Sequence, residues 1–206
     1  MTDSQKFQQK LSNPDLFGIN IVNTNNAIDA SSSNMTLSDL ASSPDITPAS
    51  GGVYTTDYVY TPNGSAVEVW YYIVDLTQYE KDYNKTYVQT YYPSATVISE
   101  ATIRYNCHSY AWYSRSYTLN RYWMNYPDAY MNDGSSTYLG TTPSIYISGL
   151  RMYYPGLHSA YMTGRSGTSS SYSDITCTSK WGQLPLMSHK ANYCPYNSSI
   201  IKFYSM

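Results

Sequence analysis

The chain has 206 residues, of which 42% are hydrophobic and only 13% charged, with a net charge of −2 and a pI of about 5.8. That length fits one domain with a real core, and that charge excludes an electrostatic attraction to nucleic acid or an anionic membrane. Tyrosine is the oddity, 26 copies against 3 Phe. A flat apolar ring with a polar tip suits sheet faces and carbohydrate or peptide grooves, and a surface rich in Tyr, Ser, Thr and Asn is also a common style of secreted proteins.

Residues 1–52 read as a flexible tail or prosegment-like region. Ser31-Ser32-Ser33-Asn34, Ser42-Ser43-Pro44 and Thr47-Pro48-Ala49-Ser50-Gly51-Gly52 are loop-forming clusters. The second unit, residues 53–206, reads as an α+β domain. Val53–Tyr60 and Ala66–Val74 are strand-like runs, and Asn63-Gly64 between them supplies the positive φ of a hairpin turn. Asp75 is placed to cap a helix running to Val88, with Pro93 beyond its end. Residues 53–94 thus form a hairpin plus a helix, and 95–206 the remaining core. Thr96–Thr102 is ambiguous between strand and helix.

Asn106 can cap a helix over Cys107–Ser116, which puts Cys107, Tyr110, Ala111 and Ser114 on one face. Tyr126-Pro127-Asp128 starts another helix, and Asn132-Asp133-Gly134-Ser135 is a turn. Strand-like runs follow at Ser144–Ile147, Leu150–Tyr154, His158–Thr163, Asp174–Trp181 and Ile200–Tyr204, with a Gly/Ser loop over Gly164–Ser173. A helix-rich half followed by an antiparallel half is the signature of an α+β fold.

No run of about 18 apolar residues occurs, so no transmembrane segment is expected. The N-terminus lacks a charged-then-apolar leader. Composition nevertheless leans toward an extracellular or cell-surface protein. Of the three cysteines, Cys177 and Cys194 are close enough in sequence for a loop to close a bridge, which leaves Cys107 free. The alternative is three reduced thiols.

The segment Tyr105-Asn106-Cys107-His108-Ser109-Tyr110-Ala111-Trp112 puts a lone thiol at a helix start. His158 opens a strand 51 residues later. Unsatisfied N–H groups at a helix start favour a thiolate, and those of Cys107 and His108 can hold an oxyanion. A strand His is the general base such a thiol needs. Ser179 is the first candidate to orient that imidazole, with His189 or Asn192 as alternatives in a following loop. Tyr105, Trp112, Tyr154 and Trp181 are candidates to line a substrate groove, or equally core residues. Adjacent Cys107 and His108 point apart on a helix, and no CxxC, HxxxH or HExxH spacing occurs, so no metal or other cofactor is expected.

These blocks resemble the papain-like cysteine amidases and peptidases of the NlpC type, in the branch of secreted amidase-like proteins. Tyr105 to Trp112 is similar to that family's nucleophile motif. Gly149 to Tyr154 followed by His158 to Met162 is similar to its strand pair bearing the base. Ser179-Lys180-Trp181-Gly182 with His189 is similar to the segment downstream. The likeness covers roughly residues 95 to 196. It departs at Leu150, where the family carries an Asp, and at the third polar residue, which is not unambiguous here. The resemblance implies a nucleophile helix on an antiparallel sheet and Cys/His-dependent hydrolysis of amide bonds, often in cell-wall peptides. A different class fits the same composition: a non-catalytic secreted surface module whose Tyr-rich face binds glycan or protein.

Overall fold

The computed structural model describes residues 54–142, 149–167 and 171–206. The expected tail over 1–52 and strand over Ser144–Ile147 lie outside these residues.

The hairpin forms as its pattern dictates. Strands β1 (Tyr54–Tyr60) and β2 (Ala66–Tyr72) pair antiparallel, with Gly64 at φ 88° in the turn. Along β2 alternation buries Val67 and Val69 on one side, while Tyr72 is buried on the other side in a separate cluster with Leu76, Ala101, Ile103 and Trp123. Helix α1 (Gln78–Tyr91) follows, but its cap is Thr77 rather than Asp75. The Thr77 hydroxyl accepts from the Glu80 N–H while the Glu80 carboxylate accepts from the Thr77 N–H, a reciprocal pair that ends the helix cleanly. Asp75 instead reaches a distant loop, accepting from Thr102 Oγ1 and the Ile103 N–H.

After β3 (Thr96–Ser99), the chain enters the expected helix at Cys107. That helix is shorter than expected and changes type. Helical turns at 107–108 run into a π-helical segment, α2 (Ser109–Tyr113), which stops before Ser116. The Ser114 N–H bonds to the Ser109 carbonyl, five residues back. Asn120 secures both ends of the segment, accepting from Ser109 Oγ and donating to the Ser114 carbonyl. The rest is β4 (Tyr122–Trp123), α3 (Asp128–Asn132), β5 (Thr137–Gly140), β6 (Arg151–Tyr154), β7 (His158–Arg165), β8 (Ile175–Lys180), β9 (Leu186–Lys190) and β10 (Lys202–Ser205).

The fold is mixed α+β with two antiparallel sheets. One is β1-β2-β4, and the other is seven-stranded, in the order β3-β9-β8-β7-β6-β10-β5. Pairing sets the faces of the large sheet. Tyr154 opposes His158, Met152 opposes Ala160, Met162 opposes Cys177 and Cys177 opposes His189. Strand alternation therefore puts His158, Ala160, Met162, Cys177, Ser179 and His189 on one face and Ser159, Tyr161 and Lys180 on the other. The first face carries the main apolar cluster with Leu150, Met152, Tyr154, Ile201 and Phe203. The second receives α2, whose Ala111 and Trp112 pack with Val59, Val67, Val69, Met124 and Tyr130. No helix among the described residues is long and apolar enough to cross a membrane.

Candidate functional site

Asn106 builds the start of the helix that carries Cys107. Its Oδ1 accepts from the Ser109 N–H at 3.1 Å, as expected of a cap, and from the Met124 N–H at 3.2 Å. Its Nδ2 donates to the Met124 carbonyl at 2.7 Å. Cys107 is thereby held against β7. Its thiol faces the backbone N–H groups of Ser159, His108 and Cys107 itself. These donors and the Lys180 charge favour a thiolate, but burial outweighs them and pushes the thiol up to about 11. The expected lowering at a helix start is thus reversed, because Cys107 is only 5% exposed and surrounding water is lost.

His158 adjoins Ser159, whose N–H contacts the sulfur, and its ring lies on the face of β7 opposite the Ser159 side chain. The imidazole is fully buried and stacks on Tyr196 with ring centroids 3.8 Å apart and planes within 8°. Tyr154 meets its edge at 5.1 Å. Neither Nδ1 nor Nε2 has a hydrogen-bond partner among the described residues. The thiol and imidazole therefore share no hydrogen bond in this state. Burial holds His158 neutral, with the nearby His189 and His108 acting in the same direction.

Ser179 does not orient His158. Its Oγ lies 2.7 Å from His189 Nε2 and accepts from Trp181 Nε1 at 3.0 Å. His189 Nδ1 faces the Lys190 carbonyl at 2.8 Å, so Nδ1 carries the proton and the Ser179 hydroxyl donates to Nε2. The hydroxyl hydrogen is committed, and register rather than choice decides where it points. His189 sits on strand β9, not in a loop. Asn192 is exposed on the turn after it, away from the buried imidazole. A matching trio occupies the other face. Ser159 Oγ accepts from Trp112 Nε1 at 2.9 Å and lies 2.8 Å from His108 Nδ1. Burial lowers His108 and His189 each to about 4.

Trp112, Tyr154 and Trp181 are core residues, not groove residues; each is fully buried and its polar atom serves an internal acceptor. Tyr105 is buried too but borders a groove of about 400 Å³ with Asp75, Arg104, Tyr117, Asn120 and Arg121. Cys177 and Cys194 are free thiols, so the expected bridge is not formed. Cys177 packs at 3.6 Å from His189 Nε2, and Cys194 faces the Ala191 and Tyr196 carbonyls at 3.9 Å. Among the described residues, no group of three or more His, Cys, Asp or Glu is arranged to hold a metal ion.

Two residues of this region carry more than the sequence suggested. Lys180 is fully buried, and its Nζ donates to the carbonyls of Thr102 at 2.9 Å, Gly182 at 2.6 Å and Leu184 at 2.5 Å. Burial lowers it to about 7, while three acceptors match the three N–H bonds of the ammonium form. A lysine at the end of a strand-like run, directly before Trp181, was the available signal. Tyr196 had none, since its role depends on contact with a strand far upstream. No family model matches this chain, and searches of curated proteins and of solved structures find no match.

Proposed function

We propose that the protein is a thiol-dependent hydrolase of papain-like, NlpC-type architecture, in which Cys107 attacks an amide carbonyl and His158 moves the proton. The observation that carries this reading is a pair of features on neighbouring residues. The Cys107 sulfur sits among N–H groups suited to an oxyanion, and the adjacent strand start bears a buried imidazole with two unpartnered nitrogens. An unpaired buried polar group costs about 1–3 kcal/mol, so its retention favours a functional role over packing. Catalytic contacts are often loose without substrate and tighten only when it binds.

In this mechanism His158 takes the thiol proton, and the sulfur forms a bond to the carbonyl carbon. The resulting oxyanion is held by the N–H groups of Cys107 and His108. Collapse breaks the C–N bond as His158 gives its proton to the leaving amine. Water, deprotonated by His158, then adds to the thioester, the C–S bond breaks and the thiol regains its proton. A peptide or peptidoglycan-like substrate is the class proposed, with an extracellular or cell-surface location. Neither metal nor organic cofactor takes part.

The test is thiol reactivity. The wild-type protein is expected to alkylate with iodoacetamide faster at Cys107 than at Cys177 or Cys194, as mapped by mass spectrometry, because His158 takes the thiol proton as the sulfur reacts, and His158→Ala is expected to slow Cys107 at least tenfold. Equal and slow reaction of all three thiols in both proteins overturns the proposal. It would favour instead a binding module using the outward Tyr58, Tyr60 and Tyr71 of the hairpin, which are more than a third exposed.

A further inference from the structure

We infer that Tyr196 belongs to the thiol site, its ring fixing the plane of the His158 imidazole and its hydroxyl supplying an additional donor for the substrate carbonyl oxygen. This inference rests on the Cys107/His158 reading above and names a residue that reading does not need.

Four observations meet at one place. The Tyr196 and His158 rings lie face to face at 3.8 Å and 8°. Tyr196 is 5% exposed and belongs to a buried cluster with Val88, Tyr92, Trp181, Leu184 and Met187, which holds one ring of the stack in the core. Its hydroxyl oxygen is buried without a hydrogen-bond partner among the described residues, as are both His158 nitrogens. The Cys107 sulfur, finally, faces the N–H of Ser159, the residue next to His158 in β7, so the thiol adjoins the strand start that carries the stacked imidazole.

Three orphaned polar atoms on two stacked rings are expensive to keep in an apolar cluster. A core role would be served better by Phe at this position, which keeps the stack and removes the unpaired oxygen. A phenol has one proton to donate, and burial raises its pKa well above the ordinary value, so the proton stays in place. The orphaned hydroxyl therefore has the chemistry of a waiting donor. The partner it lacks is an acceptor oxygen next to the attacked carbon, where charge develops as the thiol adds.

Two probes separate donation to an oxyanion from simple thiol reactivity. Iodoacetamide alkylates by displacement and develops no oxyanion. A short peptide aldehyde, N-acetylglycinal, adds the thiol reversibly: the S–C bond forms, the carbonyl π bond opens, and the thiol proton ends on oxygen. Its affinity is read by protection of Cys107 against iodoacetamide. Tyr196→Phe is expected to weaken aldehyde binding on the order of 100-fold while changing the alkylation rate by no more than about twofold. Tyr196→Leu, which also removes the stack, is expected to slow alkylation and shift its pH profile.

Wild-type aldehyde affinity in Tyr196→Phe sinks the assignment. So does an equal loss in both probes, which marks a folding role. If wild-type alkylation depends on His158 but Tyr196→Phe behaves like wild type, the hydrolase reading stands and only the role of Tyr196 falls. If wild-type Cys107 reacts with neither probe, both fall together.

Discussion

Removing the Lys180 ammonium tests whether a single buried cation organises the approach to Cys107. Lys180→Met keeps most of the side-chain volume but leaves the Thr102, Gly182 and Leu184 carbonyls without their shared donor. A buried polar group left unsatisfied costs about 1–3 kcal/mol. Three of them at the low end give a loss of about 3 kcal/mol, because removing the buried ammonium also relieves its own desolvation. The carbonyls belong to the loop leading into Cys107 and to the turn between β8 and β9, so the loss is local to the site. The Lys180 charge also lowers the Cys107 pKa, and without it the thiol rises further above about 11. Urea denaturation followed by tryptophan fluorescence reads the first effect, and the pH profile of Cys107 alkylation reads the second. A stability loss under 1 kcal/mol together with an unchanged profile refutes the argument.

Three further outcomes follow from the geometry. Ser179→Ala breaks the Trp181–Ser179–His189 chain and is expected to cost about 1–3 kcal/mol in urea denaturation while leaving Cys107 alkylation within about twofold, since Ser179 bonds His189 and not His158; a tenfold slower alkylation would reinstate Ser179 as the orienter. His108 and His189 have folded pKa values lowered to about 4 from an ordinary 6.5, so between those values the unfolded chain binds more protons. Stability is full above pH 6.5 and falls as pH drops toward 4, by about 1.4 kcal/mol per unit for each histidine, and urea midpoints at pH 7, 5.5 and 4.5 that do not decline would contradict this. Gly149→Ala places a Cβ 2.9 Å from Tyr161 Oη at φ 98° and is expected to destabilise by about 1–3 kcal/mol, whereas a neutral melting temperature would show that the backbone turns there without strain.

What the sequence made legible was local. The Asn63-Gly64 turn, the alternating hairpin strands and the Asn106 cap each depend on a few adjacent residues, and each formed. The strand β9 was missed because Leu186-Met187-Ser188-His189-Lys190 is short and two-faced only in the context of β8. The Asp75 cap failed because a carboxylate serves any nearby donor, and Thr102 and Ile103 arrive from a loop that only tertiary folding brings near. For the site, the positions of Cys107 at a helix start and His158 at a strand start were readable. Their partners were not: register aims Ser179 at His189, and Tyr196 reaches His158 from a separate turn. The thiol pKa went the opposite way because burial, invisible in a linear pattern, exceeds the pull of three N–H groups.

Asn106 has one more implication. It bonds both the helix carrying the sulfur and Met124, which directly follows the strand that completes the small sheet. Val59, Val67 and Val69 of the hairpin press on Ala111 and Trp112 of that same helix. A truncated protein starting at residue 95 would strip one wall from the turn bearing the thiol. The hairpin is thus part of the scaffold that holds the Cys107 sulfur, and shortening the chain to its C-terminal half should loosen that sulfur along with the fold.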